Sequence, residues 1–201
     1  MRLFVAIDLT AELKAALAEL QNSLRRLWLG APIRWVDPAG IHLTLKFLGE
    51  VGADRLEAIF AALERGTAGV EPFELKIGGL GFFPSGRRTR VIWVGVNEAT
   101  GRLAKLQRQV EAGLEPLGFA PENREFVPHL TLGRLKTPTS LLPPDASLAD
   151  RPLGRMPVRE VVLMESRLSP TGATYRPVRV FPLEPVGTCR SRVDGSGGRM
   201  L

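Results

Sequence analysis

Ile41-His42-Leu43-Thr44-Leu45-Lys46-Phe47-Leu48-Gly49-Glu50 and Phe126-Val127-Pro128-His129-Leu130-Thr131-Leu132-Gly133-Arg134 carry one tetrapeptide, His-Leu-Thr-Leu, in the two halves of a 201-residue chain. The chain has 2 histidines, and both head a copy. One His-x-Thr is a weak signal, but two that use up every histidine lie far outside chance for this composition. In a strand, residues two apart share a face. His42 and Thr44 therefore point one way while Leu43 and Leu45 point to a core, and His129, Thr131, Leu130 and Leu132 repeat that division. If the halves face each other, two imidazoles and two hydroxyls converge in one cleft.

Working outward from the motifs, residues 2–9 read as a buried strand. Thr10 caps a helix with Leu13, Leu17, Leu20, Leu24 and Leu27 at helical spacing, ending before Gly30 and Pro32. A strand over 33–36, a turn at Asp37-Pro38-Ala39-Gly40 and a strand over 41–48 follow. Leu56, Ile59, Phe60 and Leu63 mark a helix over about 53–65. Strands are expected over 73–80 and 90–96, joined by a turn-rich loop, and Thr100 is expected to cap a helix striped by Leu103, Leu106, Val110 and Leu114. A strand over 126–135, a Pro-rich surface loop over about 137–155 and strands over 158–168 and 174–181 complete the pattern. Strands and helices mix without regular βαβ alternation, which favours α+β. Residues 1–185 read as a single bilobal catalytic domain and 186–201 as a flexible polar tail.

Paired imidazoles suit phosphodiester cleavage. With a side-chain pKa near neutrality, one takes a proton from the attacking oxygen while the other gives one to the leaving oxygen. The Thr hydroxyls can donate to the non-bridging oxygens. A metal centre is poorly supported, because two histidines without a neighbouring Asp/Glu/Cys cluster make a meagre ligand set. Gly78-Gly79-Leu80-Gly81 lacks the Gly-x-x-x-x-Gly-Lys pattern of a phosphate-cradling loop. Neither a metal nor a cofactor is expected.

Net charge is +6, with a pI near 10.2. A basic surface draws anions, nucleic acid first among them, although Arg-rich composition alone would give the same balance. The single Cys189 excludes an internal disulfide and a thiolate zinc site. No signal-peptide core and no membrane-length apolar run is visible, so a cytoplasmic protein, acting as a monomer, is expected.

These residues resemble the 2H phosphoesterase family, named for two His-x-Thr/Ser-x motifs, and within it the RNA 2′,3′-cyclic phosphodiesterases, also called 2′-5′ RNA ligases. The resemblance runs from Arg2 to about Leu183 and includes Arg2-Leu3-Phe4-Val5-Ala6-Ile7-Asp8, Arg90-Val91-Ile92-Trp93-Val94-Gly95-Val96, Ser166-Arg167-Leu168 and Gly172-Ala173-Thr174-Tyr175. It implies two pseudo-symmetric lobes of antiparallel sheet plus helices around a central cleft. It also implies hydrolysis of RNA 2′,3′-cyclic phosphate ends, tRNA fragments among them, to 2′-phosphates. By that analogy His42 is the general acid and His129 the general base, with Thr44 and Thr131 on the phosphate oxygens; spacing alone leaves the two roles interchangeable. Two alternatives are a 2′-5′ RNA ligase working by the reverse reaction and a non-catalytic RNA- or nucleotide-binding module.

Further residues extend the site. Lys46 continues the His42–Thr44 face by one step, either to meet a phosphate or as a solvated strand-end lysine. The family often places an Arg at the position of Arg134, and a guanidinium suits phosphate. It is out of phase with His129 unless a bulge or strand end follows Gly133. Phe47 and Phe83 read as core or as nucleobase platforms, and Trp93 as core. Arg87, Arg88 and Arg90 form a basic cluster that either guides RNA or is simply solvated.

Overall fold

A computed structural model describes residues 1–85, 88–169 and 172–184. The expected tail with Cys189, and Arg87 of the basic cluster, lie outside the described residues. The opening apolar run forms β1 (Arg2–Asp8), and Thr10 caps α1 (Ala11–Leu27) by accepting from the Leu13 amide. Then come β2 (Ile33–Trp35), β3 (His42–Glu50), α2 (Leu56–Thr67), β4 (Phe73–Phe83), β5 (Thr89–Asn97), α3 (Arg102–Leu114), β6 (His129–Thr139), α4 (Ala146–Ala149), β7 (Pro152–Val158), β8 (Glu160–Ser169) and β9 (Gly172–Pro182).

Eight strands lie in the order β7-β4-β5-β6-β3-β1-β8-β9, with β2 added beside β6, and every pairing is antiparallel. The order is symmetric about its middle: each half runs outward from a motif strand, β3 or β6. The two halves meet through one register pair, Leu43 opposite Leu130. Helices cross between them. α1 follows β1 but packs on β7 of the other half, and α3 follows β5 but packs on β3. One apolar core runs through both halves and includes Leu17 and Leu20 of α1, Leu106 and Val110 of α3, and Leu43 and Leu130. Burying each such side chain contributes about 1.5–3 kcal/mol. The expected two-lobed α+β architecture is what the chain adopts. No helix among the described residues is long and apolar enough to cross a membrane.

Three local expectations change. β4 runs on to Phe83 through the glycines read as a loop. It shifts register between Ile77 and Leu80, where Gly79 takes φ +78°, and resumes pairing with β5. The segment read as a surface loop holds β7, an edge strand on β4; Pro152 and Pro157 hid it, yet an edge tolerates proline because one side of its ladder needs no donors. Thr100 does not cap α3: Gly101 is its N-cap, and the Glu98 carboxylate accepts from the Thr100 and Leu103 amides.

The motif strands share a break that decides the site. Along β3, Thr44 faces Ala6 and Lys46 faces Val5, so Leu45 is passed over. Along β6, Thr131 faces Trp93 and Gly133 faces Ile92, so Leu132 is passed over. Each extra residue is a bulge that reverses which face later side chains take. Each bulge is also met by a buried polar side chain from the helix that crosses over. Gln21 of α1, 1% exposed, donates to the Val36 carbonyl (2.8 Å) and the Leu132 carbonyl (2.9 Å). Glu111 of α3 holds Lys46 at 2.6 Å, and Lys46 also donates to the Ala120 carbonyl at 2.5 Å.

Candidate active site

His42 and His129 stand at the first residues of β3 and β6, flanking the junction. Antiparallel register about the Leu43–Leu130 pair turns His42 toward the Thr131 end and His129 toward the Thr44 end. All four side chains line one cleft of about 310 Å³. Each ring is fixed by the backbone just ahead of its strand: His42 Nδ1 lies 2.8 Å from the Gly40 carbonyl and His129 Nδ1 lies 2.7 Å from the Val127 carbonyl. A carbonyl only accepts, so Nδ1 is the protonated nitrogen in both rings and Nε2 is left to work as donor or acceptor. The Thr44 and Thr131 hydroxyls bond to nothing else among the described residues.

The surroundings of the two rings differ. His42 stacks on Phe4 with ring centres 4.6 Å apart and takes the edge of Tyr175 at 4.9 Å. Burial there disfavours the imidazolium and lowers its pKa below the ordinary value; the Gly40 carbonyl and the Asp8 charge pull it partly back, and Lys14 adds to the fall. His129 meets Phe83 edge-on at 5.1 Å and Trp93 at 6.0 Å. Trp93, expected in the core, thus lies on the cleft face, where its indole fills the space above Gly81 that a Cβ would occupy.

The bulges decide which face the remaining candidates take. Lys46 is a correction: it is 2% exposed, pairs with Glu111, and does not line the cleft. The bulge at Leu45 turns it inward, so it is neither a phosphate ligand nor a solvated strand end. In its place Phe47, 57% exposed, stands on the cleft wall. The equivalent bulge at Leu132 turns Gly133 inward and brings Arg134 onto the cleft face. That bulge falls one residue earlier than the break the sequence required. Arg88 and Arg90 are exposed and do not line the cleft. Sequence reasoning missed Arg2, Ser166 and Tyr175, which line the cleft from β1, β8 and β9. Their strands were legible in the sequence, but which of their residues meet the cleft was not until the sheet order was known.

A family model described as LigT like Phosphoesterase matches residues 7–93 and again 94–175, one match per motif. The chain belongs to the LigT-like phosphoesterases. It is 38% identical over 186 residues to the RNA 2′,3′-cyclic phosphodiesterase of Methanothermobacter thermautotrophicus, covering 91% of this chain and 99% of that one. It is 35% identical over 207 residues to the RNA 2′,3′-cyclic phosphodiesterase of Thermus thermophilus, covering 99% and 98%. Among solved structures, TT0787 of Thermus thermophilus superposes with a TM-score of 0.78 at 33% identity, over 92% of this chain and 100% of that chain. Escherichia coli LigT complexed with 3′-AMP superposes with a TM-score of 0.74 at 28% identity, over 90% and 97%. The boundary of the family match falls inside β5, so the two repeats in sequence are not the two halves of the sheet: β8 and β9, from the end of the chain, complete the half that holds β3.

Proposed function

We propose that this chain hydrolyses RNA 2′,3′-cyclic phosphate ends to 2′-phosphates, with His42 and His129 as its acid–base pair. The observation that carries the reading is the matched pair of rings in one cleft, each locked through Nδ1 with Nε2 free. His129 Nε2 takes a proton from water as its oxygen attacks phosphorus. The P–O3′ bond breaks, and O3′ takes the proton held on His42 Nε2. The products are a 2′-phosphate and a free 3′-hydroxyl, and the two histidines end with their protonation exchanged. Thr44 and Thr131 donate to the non-bridging oxygens, and Arg134 offers a two-pronged guanidinium to the phosphate. Phe47 gives the terminal nucleobase a face to stack on. Both histidines come from one chain, so a monomer suffices, and fragments of tRNA ending in a cyclic phosphate are suitable substrates. The named activity of the relatives and the 3′-AMP bound to Escherichia coli LigT support a nucleotide in this cleft.

The test is incubation of EDTA-treated protein with a short RNA ending in a 2′,3′-cyclic phosphate, with the phosphate located by NMR. Conversion to the 2′-phosphate is expected, with His42→Ala and His129→Ala each slower by about 10²–10⁴-fold. Unimpaired turnover by the double variant would sink the assignment.

A further inference from the structure

The cationic row that begins at Arg134 continues away from the histidines. β2 pairs with β6 so that Arg34 stands directly opposite Arg134. Directly opposed residues on antiparallel strands leave the sheet on the same face, their Cβ atoms about 4.5–5.5 Å apart. The next pair, Ile33 and Leu135, goes to the core, so Arg34 and Arg134 share the cleft face. Lys136, exposed, lies one same-face step beyond Arg134 on β6. Like charges directly opposed are destabilising. The same row on β5 and β4 is Val91 and Phe83. Among the described residues no carboxylate pairs with Arg34, Arg134 or Lys136, whereas Arg155, Arg167, Arg176 and Arg179 each reach one. An anion held between Arg34 and Arg134 would offset that repulsion. Arg134 lines the cleft and is accounted for by the reacting phosphate; Arg34 and Lys136 lie outside the cleft lining.

We infer that Arg34 and Lys136, continuing from Arg134, form a subsite for the next phosphate of an RNA backbone, the one upstream of the cyclic end. This rests on the hydrolytic reading above and deepens it: the phosphate upstream of the reacting one contributes to recognition, so an RNA end is preferred over a mononucleoside cyclic phosphate, which has no second phosphate to offer. A guanidinium and an ammonium on a rigid sheet bind a phosphodiester without reading its base, so the preference is for chain rather than sequence.

The experiment compares kcat/KM on adenosine 2′,3′-cyclic phosphate with kcat/KM on an adenosine dinucleotide ending in the same cyclic phosphate, for the wild type, Arg34→Gln, Arg34→Lys and Lys136→Gln. The wild type should favour the dinucleotide. Arg34→Gln should lower that preference about tenfold, Lys136→Gln less, and Arg34→Lys should keep part of it. The salt dependence on the dinucleotide should flatten by about one unit of log–log slope per lost contact. An unchanged preference, or equal losses on both substrates, overturns the subsite. Calorimetric binding of a dinucleotide 2′-phosphate separates the two claims. If the wild type turns over neither substrate but Arg34→Gln still weakens binding, the subsite stands and the hydrolytic reading fails. If binding is also unaffected, the subsite fails as well.

Discussion

His42 and His129 are alike in what fixes them and unlike in what surrounds them. Each donates Nδ1–H to a backbone carbonyl two residues earlier, so their rings are held in one tautomer by main chain alone. His42 is the more enclosed, and burial lowers its pKa. The sign is fixed by the charge type: low dielectric penalises the imidazolium, so the proton leaves at lower pH. In an NMR pH titration the His42 ring should therefore change below pH 6.5. Asp8 raises that pKa, so Asp8→Asn should move the His42 transition further down. The same variant decides the division of labour. With His42 as acid, activity is lost as pH rises through its pKa, and Asp8→Asn shifts the alkaline limb of kcat/KM to lower pH. Movement of the acid limb instead would make His42 the base.

At the scale of elements, the bulges in β3 and β6 account for most of what could and could not be read from the sequence. The period-two rule placed His42, Thr44, His129 and Thr131 on one face because those residues precede the bulges. It failed at Lys46 because Lys46 follows one, and it made Arg134 conditional for the same reason. A bulge is set by pairing with other strands and by the crossing helices, neither of which a local pattern contains. β7 was lost for a related reason: an edge strand needs only one ladder, so its prolines read as loop. The Lys46–Glu111 pair that backs the β3 bulge lends itself to a stability test. Removing one member leaves a buried charge unpaired, so Lys46→Met should cost about 3–5 kcal/mol in urea unfolding. The double variant Lys46→Met, Glu111→Leu should recover most of the loss, since an apolar pair of similar volume is often neutral. A double variant no more stable than the single one would show that the ion pair does more than neutralise itself.

At the scale of the whole molecule, the two halves of the sheet share one backbone register pair among the described residues, yet they are interlocked. β8 and β9 complete the half begun by β1 and β3, and α1 and α3 each pack on the half that their preceding strand does not belong to. Neither half keeps its helical cover without the other, so unfolding should be a single cooperative transition. Urea midpoints from tryptophan fluorescence, which reports Trp28, Trp35 and Trp93, and from His42 NMR intensity on β3 should coincide; separate midpoints would mean that the halves unfold independently. The near-symmetry of the cleft also has a limit. Phe47 and Arg134 occupy equivalent places after equivalent bulges, one aromatic and one cationic. A cleft with two matching ends would admit a nucleotide in either of two orientations. Giving one end a π-face and the other a guanidinium endows the cleft with polarity, and under the hydrolytic reading proposed above a strand entering in one sense would meet partners that the reversed approach would not.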